Sequence, residues 1–140
     1  MNKKGEWTRF NAPFAKLFYK LARTPLGGIL VGWWVSILSI AIPANRLRET
    51  ATLFAFFHPR PSYPFHVLLI PKKKIKEMSD ISVDDAVLLI DVFKVVESII
   101  EEYDLKKCGY RLIVNGGQYQ EIPQLHFHLI AEKYRLLGDV

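Results

Sequence analysis

The sequence predicts an α+β domain, an antiparallel sheet covered by one long helix, preceded by an N-terminal hydrophobic helix of membrane type. Three observations carry this. Strand-forming stretches come in two pairs, one on each side of a single stretch with helical periodicity, and no regular β-α-β alternation links them. Residues 26–42, LGGILVGWWVSILSIAI, are all uncharged. The net charge of +5 also lies wholly in residues 1–42, where six basic side chains face Glu6 alone, whereas 43–140 carry 13 basic and 13 acidic residues. A chain of 140 residues suffices for one domain with one core.

Residues 1–24 form a basic segment. In FNAPFAKLFYKLART, Phe14, Leu17, Phe18 and Leu21 share a helical face with Lys16, Lys20 and Arg23 around the rest, a pattern suited to a lipid interface. Residues 25–42 follow as the expected membrane helix. Pro25 suits its start and Pro43 its end, and the run is near the lower limit for crossing a bilayer. A tightly packed apolar helix is the alternative. The expected localisation is therefore membrane-associated and single-pass, with the face of the membrane undetermined and lipid as a partner.

Residues 43–140 form the domain. ATLFAFFH (51–58) and FHVLLIP (65–71) are strand-dense and flank HPRPSYP, a turn region with three prolines. KKKIK (72–76) reads as a basic, exposed connection. Ser82 and Asp85 make an approximate capping box. Apolar residues then recur at helical spacing, with Val83, Val87 and Ile90 beside Ala86 and Phe93, continued by Val96, Ile99, Ile100 and Tyr103. Lys106, Lys107 and Gly109 suit the end of that helix. YRLIVN (110–115), the loop GGQYQE and the strand IPQLHFHLI complete the chain. The single Cys108 excludes an internal disulfide. The charge-balanced domain lacks the broad basic face that a nucleic-acid partner requires.

Side chains alternate along a strand. Gln124, His126, His128 and Ile130 then face one way, and Leu125, Phe127 and Leu129 face the other, towards the core. His66 lies in a second strand. The Gly116-Gly117 loop, with Gln118 and Gln120, offers backbone N–H groups for a phosphate oxygen, and Asn115 can bond a sugar or phosphate. Three readings of the imidazoles stay open. They are structural, or they form a three-histidine zinc site, or one is a nucleophile towards phosphorus, since neutral imidazole attacks well near pH 7.

FAFFHPRPSYPFHVLLIPKKKI, RLIVNGGQYQEIP and QLHFHLI, with IPANRL (42–47) before them, resemble the histidine-triad (HIT) superfamily of nucleotide hydrolases and transferases. The resemblance implies a HIT-like antiparallel sheet with a long helix, and usually a homodimer. It implies that His126 attacks the α-phosphate to form a nucleotidyl-histidine, that His128 contacts the phosphate, that His66 completes the cluster and that Asn115 helps hold sugar or phosphate. It implies a purine nucleotide or nucleoside phosphoramidate as substrate, with no metal and no cofactor. Three positions depart from the pattern. Gln124 replaces the first motif histidine, His58 stands where many members have an acid that grips the ribose, and Glu121 stands near the phosphate. Two functions are thus expected. One is a membrane-associated nucleotide phosphohydrolase or nucleotidyl transferase, with His126, His128, His66 and Gln124 as catalytic residues and Asn115, Gly116, Gly117 and Gln120 binding substrate. The other is a catalytically reduced accessory subunit of a membrane-protein complex.

Overall fold

A computed structural model describes residues 46–135. Its elements are β1 (Arg48–Glu49), β2 (Leu53–Phe57), β3 (Phe65–Pro71), α1 (Ala86–Glu102), β4 (Arg111–Val114) and β5 (Phe127–Ala131). The five strands form one sheet in the order β1-β2-β3-β5-β4, and every neighbouring pair is antiparallel. This is the α+β arrangement expected from two strand pairs around one helix.

Alternation along the strands gives the sheet two unlike faces. Leu53 and Ala55 of β2, Phe65, Val67 and Leu69 of β3, and Phe127, Leu129 and Ala131 of β5 turn towards α1. They pack in one core with Leu88, Val92, Val95, Val96, Ile99 and Ile100 of the helix. On the opposite face Phe54, Leu68 and Ile70 form a smaller cluster with Phe56 and Ile122. His66 and His128 share this second face. Leu129 is fully buried at the centre of the larger core. Leu129→Ala should therefore cost about 2–5 kcal/mol in urea unfolding, the range for emptying a rigid core site. A loss below ~1 kcal/mol would show that the helix side is loosely packed.

The helix departs from the sequence reading in its buried stripe. Val83, Val87, Ile90 and Phe93 are exposed, and Leu88, Val92 and Val95 meet the sheet instead, whereas Val96, Ile99 and Ile100 are buried as expected. The first half of α1 is apolar on two sides, so periodicity could not say which side was covered. The helix also ends at Glu102, before the expected lysines. Asp104 then adopts a left-handed conformation (φ 53°), and a short 3-10 turn at Leu105–Lys107 is closed by Gly109 at φ 80°, whose N–H donates to Leu105 O at 2.9 Å. The expected Ser82–Asp85 pairing forms. The Asp85 carboxylate accepts from the Ser82 N–H at 3.0 Å and from its hydroxyl at 3.2 Å, and meets Lys73 Nζ at 2.6 Å. The last strand is shorter than expected. It starts at Phe127, and residues 122–126 run as an irregular segment.

The membrane expectations are corrected. Among the described residues no helix is long and apolar enough to cross a membrane. The long helix that is present covers a sheet and carries Asp91, Lys94, Glu97, Glu101 and Glu102. The segments expected at 1–24 and 25–42 lie outside the described residues. A membrane helix, a lipid partner, a membrane-complex role and membrane localisation accordingly have no part in the functional account.

Candidate functional site

All four histidines of the chain meet on the sheet face opposite α1. The β2–β3 pairing sets Phe57 against Val67. One step further, the His58 N–H donates to His66 O at 2.8 Å, so the two histidines oppose each other across the mouth of the hairpin. Their rings stack with centroids 4.3 Å apart at 17°. The β3–β5 pairing sets Leu68 against His128 and His66 against Ile130, which brings the His66 and His128 rings to 5.2 Å. His126, just before β5, places its ring 4.8 Å from that of His128. Tyr63 packs edge-on against His66 at 5.5 Å.

The hydrogen bonds around these rings fix which nitrogen carries each proton. The Ser62 N–H donates to His66 Nδ1 at 3.3 Å. His66 Nδ1 is therefore the acceptor, and the proton of the neutral ring sits on Nε2. That Nε2–H donates to His128 Nδ1 at 2.9 Å. By the same logic the proton of His128 sits on its Nε2, a buried atom with no partner among the described residues. His126 is set the opposite way. Its Nδ1–H donates to the Gln124 backbone carbonyl at 2.7 Å, so its Nε2 carries the lone pair. The site thus holds a nucleophilic nitrogen on His126 beside an unspent N–H donor on His128. The Arg60 N–H likewise donates to His58 Nδ1 at 3.0 Å.

Electrostatics keep the rings neutral near pH 7. Burial lowers His66 to about 3, with His58 and His128 adding to the effect. Burial lowers His128 to about 4, helped by His126 and His58. His58 is lowered chiefly by burial. Burial also lowers His126, opposed by its bond to Gln124 and by the charge of Glu121. A neutral imidazole is the form that can attack an electrophile. Among the described residues no group of three or more His, Cys, Asp or Glu is arranged to hold a metal ion.

The remaining expected residues are Gln124, Asn115, Gly116, Gly117 and Gln120. Gln124 is 2% exposed. Its amide nitrogen donates to Lys73 O at 3.3 Å, leaving its Oε1 without a partner. Asn115 follows Val114, which pairs with Phe127, so it stands across the sheet edge from His126. Gly116 and Gly117 are exposed in the loop between β4 and β5. Gly117 has φ 57° with open space around it, and neither glycine is bonded to the imidazoles. The Gln120 amide is committed to backbone, donating to Lys76 O of the segment after β3 at 2.6 Å and to Ile122 O at 2.8 Å. Sequence reasoning placed His58 only as a departure at a ribose-gripping position. A hairpin symmetric about residue 62 would have set it opposite His66.

Comparison with known proteins supplies the context. The family model described as HIT domain matches residues 40–134. An uncharacterized HIT-like protein of Buchnera aphidicola is 32% identical over 100 residues, covering 70% of this chain and 88% of the relative. The crystal structure of a HIT family hydrolase from Legionella pneumophila superposes with a TM-score of 0.64 at 30% identity, covering 76% of this chain and 97% of the other. A histidine triad nucleotide-binding protein from Candida albicans superposes with a TM-score of 0.61 at 30% identity, covering 71% of this chain and 73% of the other.

Proposed function

This chain is a member of the HIT-domain family, and on that premise we propose that it cleaves a substituent from the α-phosphorus of a nucleotide through a nucleotidyl-histidine on His126. The observation that carries the reading is the opposed protonation of two adjacent rings: an Nε2 lone pair on His126 and an Nε2–H on His128. The His126 nitrogen attacks phosphorus, the N–P bond forms, and the bond to the leaving group breaks with its electron pair. The Nδ1–H remains on the Gln124 carbonyl and shares the positive charge that the ring acquires. His128 Nε2–H meets a non-bridging phosphoryl oxygen, where negative charge develops. Water then attacks phosphorus, the N–P bond breaks, and nucleoside monophosphate leaves. His66 acts through His128, as the group that holds its tautomer.

The relatives support this reading at the level of chemistry: one is named a hydrolase and another a nucleotide-binding protein. The test is direct. Purified chain is mixed with adenosine 5′-phosphoramidate or with P1,P4-di(adenosine-5′) tetraphosphate, quenched at alkaline pH and digested for mass spectrometry. The expected result is an adenylyl group on the peptide carrying His126. Neither adduct nor turnover with either substrate at millimolar concentration would overturn the reading.

A further inference from the structure

The outer side of α1 is apolar where a helix on a sheet is ordinarily polar. Val83, in the turn Val83–Asp85 before the helix, is 90% exposed, and Val87, Ile90 and Phe93 are 60%, 53% and 65% exposed. They make up four of the seven large apolar side chains that are exposed among the described residues, so the apolar surface is gathered here. A patch of this kind with a polar margin marks a protein contact. Its margin is acidic. Residues 82–103 carry Asp84, Asp85, Asp91, Glu97, Glu101 and Glu102 against Lys94 alone. Asp85, Glu101 and Glu102 pair with Lys73, Lys106 and Arg48. Asp84, Asp91 and Glu97 have no ion pair among the described residues.

This face fits a helix that is apolar on one side and basic beside it, and the chain carries such a segment. In residues 14–23, Phe14, Leu17, Phe18 and Leu21 fall at helical spacing with Lys16, Lys20 and Arg23 around them and no acid. The dimensions match. As a helix, Phe14 to Leu21 covers about 11 Å, and Val83 to Phe93 covers about 15 Å. The described chain also begins beside α1, where the Arg48 guanidinium donates to Ser98 Oγ at 3.0 Å and pairs with Glu102. Ile90 lies about 12 Å along the helix from Ser98, and residues 24–45 can span up to about 75 Å. We propose that residues 14–23 dock as an amphipathic helix on the Val83–Phe93 face of α1, with Lys16, Lys20 and Arg23 meeting Asp84, Asp91 and Glu97. The contact lies on the helix side of the sheet, away from the imidazoles, and does not depend on the reaction proposed above.

Disulfide trapping in the full-length chain tests this. In a Cys108→Ser background, Leu17→Cys is combined with Ile90→Cys or, for comparison, with Ser62→Cys in the exposed β2–β3 loop beside the imidazoles. Under dilute oxidant the L17C/I90C bond should form within one chain at least about 10-fold faster than L17C/S62C, since docking raises the local concentration of one thiol at the other. Asp84→Lys with Glu97→Lys should slow the L17C/I90C bond about 5-fold at low salt, and so should Lys16→Glu with Lys20→Glu. All four changes together should restore the rate. Every substituted position on α1 is exposed, and thermal melts of each variant check the fold. Equal rates to I90C and S62C would overturn the assignment, because a segment that merely reaches everywhere has no docking face. A rate indifferent to both charge reversals would overturn it as well. So would a disulfide that joins two chains at a rate rising with protein concentration, which would assign the face to a second copy.

Discussion

Replacing His126 by alanine should lower turnover by at least about 10³-fold, equivalent to some 4 kcal/mol of barrier, and abolish the adenylyl adduct. The reason lies in the protonation pattern. Of the rings in the cluster, His126 has its N–H turned into the backbone, at Gln124 O, and its lone pair turned outward. His128 presents an N–H instead, so it cannot take over the attack without reversing the whole relay back to Ser62. His128→Ala should therefore leave a slow enzyme that still forms adduct, whereas His126→Ala forms none. Steady-state rates and adduct yield on the two variants check this. An H126A protein with more than a tenth of wild-type activity would move the nucleophile elsewhere. Stability measured in parallel excludes misfolding as the cause, since His126 is only partly buried.

Mild acid should destabilise the fold strongly, by a route independent of catalysis. His66 and His128 are held at about 3 and about 4 in the folded chain against 6.5 unfolded. Lowered values mean that the unfolded chain takes up protons first. The contribution is complete above pH 6.5 and is lost as pH falls towards the folded values. Each ring costs about 1.4 kcal/mol per pH unit in that window. The two rings share one hydrogen bond and His128 contributes to the His66 shift, so their contributions do not simply add, and solvent screening trims each. The loss between pH 6.5 and 4.5 is on the order of a few kcal/mol for the pair. The charged forms that act on these rings are those of His58 and His126, beside their action on each other, and Glu121 acts on His58 and His126 rather than on the pair. Urea midpoints at pH 7 and pH 5 measure the effect, and a H66Q/H128Q protein should show a much flatter profile. Equal midpoints for the wild type at the two pH values would contradict the burial of these rings. Asp85, held below its usual range by Lys73 and Ser82, adds acid sensitivity in the same direction in both proteins, so the difference between them isolates the imidazoles.

Much of this was legible in the sequence, for reasons that can be named. Strand alternation assigned Leu125, Phe127 and Leu129 to the core and His128 to the other face, because a period of two leaves no freedom once one face is apolar. Pro71 and the turn chemistry of 58–64 bounded the hairpin. The packed side was legible in the second half of α1, at Val96, Ile99 and Ile100, but not in the first half, since Val87, Ile90 and Phe93 are as apolar as the residues that are buried. The long helix of the described residues was legible as a sheet-covering helix rather than a membrane span, because charged residues such as Asp91, Lys94 and Glu97 interrupt it. The protonation pattern was hidden for a different reason. It is written by peptide groups, Ser62 N–H and Gln124 C=O, whose positions depend on the hairpin and on the irregular segment before β5.

That relay begins at a main-chain amide, and the side chain of residue 62 takes no part in it. Variation at this position should thus be almost unconstrained by chemistry, with one forbidden letter. Proline alone lacks the hydrogen that His66 accepts. Its arrival there, beside Pro61 in a loop already rich in proline, would release both imidazoles from their assigned tautomers while leaving every reacting side chain in place.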